Sequence, residues 1–203
     1  MGNRNYLAGP AITIAAILIG GCGAATPRTA GPSARQVAAR APDHSAPDHS
    51  AAACRPTQLQ LTAGPRISEK TEQNTLVLVF RNISAKACDL RGYPGIALAD
   101  STGRRLSFVY RQGGDQMLTN APPGLVALPP GGYAYSALNK NSCVSFARAS
   151  AARAQVIVPG QHEPLVLTLS HYPILSYCGR GDPGDTIDIA PVEPTSADVL
   201  AGP

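Results

Sequence analysis

The sequence predicts an all-β domain, a sandwich or a barrel, and three observations lead there. Residues 75–80, Thr-Leu-Val-Leu-Val-Phe, are β-branched, aliphatic or aromatic without a break, the pattern of a strand buried in a core. Further short strand-like segments follow, separated by clusters of Gly, Pro, Asn and Asp, which is the spacing of an all-β chain. The composition agrees: 20 Gly, 19 Pro and 15% charged residues, against a typical charged share of about 25%, favour many turns over long helices. With 203 residues, 44% of them hydrophobic, the chain can form one well-cored domain with appendages. Its net charge of +4 is spread without a run of like charges, so nothing marks a nucleic-acid partner.

Taken in order, residues 1–21 are expected to be a signal peptide. Arg4 precedes an apolar run over 11–19, far shorter than the roughly 20 residues of a spanning helix. Ile19-Gly20-Gly21-Cys22 resembles the lipobox of bacterial lipoproteins, in which the cysteine is lipidated on sulfur and becomes the first residue after cleavage. Cys22 is therefore the expected lipidation site and the membrane the first expected partner, the protein standing on the extracytoplasmic face of the cell membrane. Multiple acylation holds there, whereas one chain anchors only marginally.

Residues 22–53 carry Ala, Pro, Ser, Thr, Gly and Arg, with Val37 the only large aliphatic side chain, too little apolar surface to offset chain entropy. A disordered tether is expected; about 31 residues have an r.m.s. reach near 30 Å and a maximum near 100 Å, which prolines extend. Within it Ala-Pro-Asp-His-Ser occurs twice in tandem, setting His44 and His49 beside Asp43 and Asp48. Two imidazoles and two carboxylates suit weak transition-metal binding; duplication within a low-complexity linker accounts for them more simply.

The folded domain is expected over residues 54–191, with strands at 57–62, 75–82, 96–100, 106–111, 125–128, 133–138, 154–158, 165–170 and 186–189. Asp100-Ser101-Thr102-Gly103, Pro129-Pro130-Gly131-Gly132 and Pro159-Gly160 supply reversals between them. Residues 146–153, Phe-Ala-Arg-Ala-Ser-Ala-Ala-Arg, hold enough Ala and Arg for one or two helical turns, an alternative that stays open. Residues 192–203 are expected to be a flexible tail.

Setting Cys22 aside leaves Cys54, Cys88, Cys143 and Cys178, an even number in a chain with an export signal, and hence two disulfides. Of the three possible pairings, Cys54 with Cys88 and Cys143 with Cys178 is favoured because each joins neighbouring segments. Each bridge closes a loop of about 35 residues, worth on the order of 3–4 kcal/mol in the chain-entropy picture. Wide spacings and the lack of any C-x-x-C pair speak against zinc.

The order Cys54, Phe80-Arg81-Asn82, Cys88-Asp89-Leu90-Arg91-Gly92-Tyr93-Pro94, Leu98-Ala99-Asp100, Leu128-Pro129-Pro130-Gly131-Gly132-Tyr133-Ala134 and Cys143 resembles an actinobacterial family of secreted and lipid-anchored domains of unknown function, DUF4232-like. The likeness spans roughly residues 54–191, and C-x-L-x-G-Y-P is its most distinctive segment. It implies an immunoglobulin-like antiparallel β-sandwich at the cell envelope and lends no catalytic residue.

Active-site patterns are mostly excluded. Gly179 to Gly184 formally match G-x-G-x-x-G, but only 19 residues follow, too few for the helix and strand of a dinucleotide site. Arg180-Gly181-Asp182 matches an adhesion tripeptide by chance. His162-Glu163 begins like H-E-x-x-H, yet Pro164 follows and Val166 stands at the second histidine position. No G-x-S-x-G elbow and no P-loop occur. Asp182, Asp185 and Asp188 suit a solvated turn better than calcium, and Asn82-Ile83-Ser84 is a glycosylation pattern without force in a bacterial lipoprotein. The loop at 111–124 is long, polar and glycine-rich at its start, as both binding loops and mobile connectors are. Met117, His162, His171 and Tyr172 would suit copper if they converged.

The expected function is thus a non-enzymatic, cofactor-free envelope lipoprotein that binds an envelope protein, glycan or lipid. The alternative is a metal-handling protein, copper or zinc, using His44, His49, Met117, His162 and His171. Replacing Cys22 by Ser is expected to move the protein from the membrane fraction to the soluble one; a variant that still sediments with washed membranes would remove lipidation from the reading.

Overall fold

The computed structural model describes residues 51–68, 72–169 and 175–201. The signal segment, Cys22 and nearly all of the tether lie outside the described residues. Within them the chain is all-β, and its helical content is two single 3-10 turns, Pro56–Gln58 and Pro183–Asp185. Twelve strands follow in order: β1 Leu59–Ser68, β2 Gln73–Asn82, β3 Cys88–Leu90, β4 Gly95–Ala99, β5 Val109–Gln112, β6 Val126–Leu128, β7 Tyr133–Asn141, β8 Ala149–Ser150, β9 Arg153–Ile157, β10 Pro164–Thr168, β11 Ser176–Tyr177 and β12 Thr186–Ile189. The larger sheet runs β1-β2-β7-β12-β5 and the smaller β10-β9-β4, while β3-β6 and β8-β11 add ribbons. Pairings between these strands are antiparallel except that of β5 with β12, which is parallel.

The two sheets share one core. Leu76, Leu78 and Phe80 of β2, Leu138 of β7 and Ile187 of β12 meet Ile96 and Leu98 of β4, Val156 of β9 and Leu167 of β10 in a single buried cluster, giving a sandwich-like arrangement. The Tyr110 hydroxyl on β5 accepts the Leu98 amide N–H at 3.0 Å and so ties one sheet to the other. Cys54 is joined to Cys88 and Cys143 to Cys178, the pairs favoured from the sequence.

Every segment expected to be a strand contains one; β3, β8 and β11, two or three residues each, were not anticipated. The helix left open at 146–153 does not form. β8 pairs with β11, and β9 alternates, burying Ala154 and Val156 while Arg153, Gln155 and Ile157 face outward. That period of two wins over helix propensity because it delivers two more side chains to the core.

The larger sheet is covered on both faces, which explains why residues 75–80 lack polar alternation. Leu76, Leu78 and Phe80 face the main core, and Val77 on the other face lies opposite Ala137 of β7. There Leu118, Ala137, Ala190 and Val199 form a second buried cluster. Leu118 comes from the loop at 113–124 and Val199 from the C-terminal segment. The Thr119 N–H donates to the Val199 carbonyl at 3.1 Å, the Ala201 N–H to that of Met117 at 2.9 Å, and Tyr135 and Glu193 exchange backbone bonds at 2.8 and 2.9 Å.

Two sequence-based boundaries move accordingly. The stretch at 192–201 is not a loose tail, because Val192 and Val199 are fully buried. At the other end, the Asp89 N–H donates to the Ala52 carbonyl and the Cys54 N–H to that of Asp89, so the domain takes in the chain from Ala52 rather than Cys54.

A polar row crosses this covered face, as Thr75, Asn139, Asp188 and Arg111 are neighbours on β2, β7, β12 and β5. Thr75 donates to Asn139 Oδ1, whose Nδ2 reaches Gln73 and Asp115, and Arg111 forks onto Asp188 at 2.8 and 3.1 Å. Asp115 also accepts the Met117 and Leu118 N–H groups, pinning the loop over the row. At the sheet edge, the β1–β2 pairing is broken by a bulge between Ala63 and Arg66. Gly64 sits in it, where a Cβ would lie 3.1 Å from side-chain carbons of Val77 and Val79, so a larger residue would need those valines to give by a few tenths of an ångström.

Truncation after Pro191 is expected to destabilise the domain strongly. At about 1.5–3 kcal/mol for each fully buried valine, losing Val192 and Val199 removes about 3–6 kcal/mol, a large share of a typical 5–15 kcal/mol. Urea unfolding checks it; an unchanged midpoint would mean the segment packs without stabilising.

Candidate functional site

Most of the side chains singled out from the sequence turn out to be occupied or apart. Cys22, His44, His49, His171 and Tyr172 lie outside the described residues. Met117 is half-buried in the loop that meets Ala201, whereas His162 is exposed beside Arg55, Pro56 and Thr57 on a different surface. Among the described residues no group of three or more His, Cys, Asp and Glu could hold a metal ion. Glu163 precedes Pro164, the first residue of β10, so His162-Glu163 opens a strand. Asn82 is buried, and its Nδ2 donates to the carbonyls of Lys86 and Leu128, so the glycosylation pattern is a turn device. The long loop at 111–124 serves the fold, as Leu118 and Asp115 cover the sheet.

The three aspartates considered for calcium do three different things. Asp188 pairs with Arg111; burial raises its carboxyl above the ordinary value, Arg111 opposes this, and the neighbouring Asp115 adds to it. Asp185 is buried and accepts the Cys178 N–H at 2.6 Å. Asp182 accepts from Gly184, Ser145 and Val144 backbone N–H groups and from the Ser145 hydroxyl. The Gly184 N–H, ahead of the Ser145 and Val144 donors, holds its carboxyl down at about 2. The G-x-G-x-x-G stretch is therefore a cap on the second disulfide: a Cβ on Gly184 would lie 2.7 Å from the Ser142 carbonyl and 2.8 Å from Cys178 Sγ.

Around that disulfide the structure assembles the most distinctive surface of the domain. β7 ends at Asn141 and the chain turns through residues 142–148 before β8. Cys143 is bonded to Cys178, Asp182 grips Val144 and Ser145, and the Arg148 N–H donates to the Tyr177 carbonyl at 2.7 Å. On this loop, held at both ends and in the middle, Val144 is 82% exposed and Phe146 93% exposed. An exposed apolar pair on a fixed loop has the character of a contact anchor.

Beneath the loop lies Lys140, the last core-facing residue of β7 and 1% exposed. Its Nζ donates to the Asn141 carbonyl at 2.5 Å and lies 3.9 Å from Cys178 Sγ. Burial lowers the ammonium's pKa, and the charges of Asp185 and Asp182 push it back up. A concavity of about 260 Å³ opens there, lined by Arg66, Asn74, Lys140, Ser142, Cys143, Ala147 and Ser176. A larger one, about 520 Å³, adjoins the first disulfide but is lined largely by alanines and the entering chain.

Cysteine parity pointed to the disulfide, but sequence reading missed Lys140 and Phe146. Lys140 sits at a strand end where a solvated lysine is normal, and Phe146 read as the apolar residue of a short helix. The available signal was Val-Ser-Phe directly after a cysteine, two large apolar residues with no partner strand assigned.

Asp182 makes the loop's acid response predictable. With a folded-state value near 2 and an ordinary one near 4, its clasp contributes stability that is complete above about pH 4 and lost as pH falls toward 2. Asp182→Ala is expected to lower the melting temperature at pH 7 and to differ progressively less from wild type below pH 4. A gap independent of pH would show that the carboxylate's charge is irrelevant to the clasp.

The chain matches no curated protein and no solved structure. Residues 54–197 match the family model described as Domain of unknown function (DUF4232). That match takes in both disulfides, the capping aspartates and the C-terminal segment as far as Ala197, and the chain belongs to the DUF4232 family.

Proposed function

We propose that this protein is a lipoprotein of an actinobacterial-type cell envelope, held at the extracytoplasmic face of the membrane through Cys22, whose domain is a non-enzymatic binding module. The loop at 143–148 is its docking element and a protein its partner. The observation that carries this reading is the exposure of Phe146 and Val144 on a loop already fixed by a disulfide, a carboxylate clasp and a backbone bond. Covering a phenylalanine is worth about 1.5–3 kcal/mol, and a pre-ordered loop forfeits little of that to immobilisation. Two disulfides are in keeping with an oxidising compartment outside the cytoplasm. The tether would add reach and effective concentration.

The domain is further inferred to be an immunoglobulin-like sandwich; support comes from two largely antiparallel sheets sharing one core. An experimental structure showing a closed barrel would overturn it.

Crosslinking with mass spectrometry in native cells tests the docking reading. Crosslinks from residues near the loop to one envelope protein are expected in the wild type and at most a tenth as many in Phe146→Ser, with the melting temperature unchanged within a degree or so because the ring has no core role. An unaltered crosslink pattern in Phe146→Ser would overturn the docking role, as would retention by glycan or lipid vesicles alone.

A further inference from the structure

The two disulfides of this domain are built differently. In the first, both cysteines are covered: Cys54 is 0% and Cys88 1% exposed. The second is asymmetric. Cys178 is 1% exposed under Gly184, while Cys143 is partly exposed and lines the concavity below the Phe146 loop. The Lys140 ammonium lies 3.9 Å from the covered sulfur, Cys178 Sγ. Disulfide exchange proceeds by thiolate attack on one sulfur and departure of the other as thiolate, so it favours an accessible sulfur bonded to one whose departing charge is stabilised. Cys143–Cys178 has that polarity.

We propose that Cys143–Cys178 is a thiol-exchange site, at which an incoming thiolate attacks Cys143 and Cys178 departs beside Lys140. In the first step the incoming sulfur bonds to Cys143 Sγ, the Cys143–Cys178 bond breaks, and its electron pair leaves on Cys178. The Lys140 ammonium remains protonated and neutralises the new thiolate. The Cys178 thiolate can then attack back and expel the incomer. Alternatively, a second thiolate attacks the incomer's sulfur, leaving both cysteines reduced and the two incoming thiols joined as their own disulfide. The two thiols supply the two electrons, and no other reductant is needed. Arg66 and Lys140 line the concavity through which an anionic thiolate approaches. Asp185, which accepts the Cys178 N–H, and Asp182 are the opposing charges; both favour the protonated Lys140. Exchange would release one of the fixings of the loop that carries Phe146, leaving the Asp182 clasp and the Arg148 bond. The inference stands independently of what docks at that loop.

The test uses the folded full-length chain with reduced glutathione as the probe, timed acid quenching, alkylation and peptide mapping. Glutathione adducts are expected on Cys143, with Cys143 and Cys178 opening at least tenfold faster than Cys54 and Cys88. Equal rates, earlier opening of Cys54–Cys88, or adducts on Cys178 would overturn the proposal. Lys140→Met is expected to slow adduct formation about tenfold at pH 7, and Lys140→Arg to restore it to within about threefold. If Lys140 only supports packing, Lys140→Met would lower the melting temperature without slowing exchange. The rate ratio between the two bridges of the wild type decides the matter even if that variant fails to fold. A small thiol as probe keeps this result separate from the Phe146 crosslinks.

Discussion

The pairing of β2 with β7 is the constraint on which the rest of the domain depends. Nine residues of each strand lie in register, from Gln73 opposite Asn141 to Arg81 opposite Tyr133. Because alternate side chains face opposite ways, that register assigns Leu76, Leu78, Phe80 and Leu138 to the main core and turns Val77 and Ala137 to the other face, where Ala137 joins the second cluster. A slip of one residue would exchange the two sets and put Thr75 and Asn139 into the apolar core, so the register is strongly specified. It also places the end of β7: Lys140 arrives under Cys178 because it is two residues beyond Leu138 on the same face. The candidate site is in this sense the terminus of the domain's best-specified strand pair.

How much of this was legible in the sequence depended on whether the physical signal was local. The uninterrupted run at 75–80 announced β2, and cysteine parity with an export signal announced two disulfides. The strands β3, β8 and β11 were too short for periodicity to register. The last dozen residues looked loose because Val192 and Val199 are their only large aliphatics before Leu200; Val192 joins the main core, and Val199 is buried with Leu118, Ala137 and Ala190 from other parts of the chain. In the same way the loop at 111–124 is polar in sequence but is held by Asp115 through hydrogen bonds to residues on its own turn and on β7. Phe146 was visible as a residue; that it stands almost fully exposed could be learned only from the fold.

Carboxylates repeatedly take the place of extended secondary structure in the turns. Asp100 accepts from the backbone and side chains of Thr102 and Arg104, with the Thr102 hydroxyl the foremost of the groups holding its carboxyl at about 2. Asp182 organises the turn between β11 and β12 in the same manner while also gripping the loop after β7. Asp188 is the converse case, placed within the larger sheet where burial outweighs Arg111 and raises its value. The turn carboxylates thus strengthen the domain in their ionised form, whereas the sheet carboxylate ionises against its surroundings.

The bulge around Gly64 bears on how copies of this domain behave toward one another. Among the described residues β1 pairs with β2 alone, so its far side is a sheet edge that a neighbouring chain could extend. Pro65 lies within the bulged stretch and has no N–H to offer, and the irregular register between Ala63 and Arg66 bends the strand out of line. The opposite edge is β5, four residues long. Neither border is a straight, uninterrupted template, and the sheet is protected against strand-by-strand accretion into fibrils by its own outline.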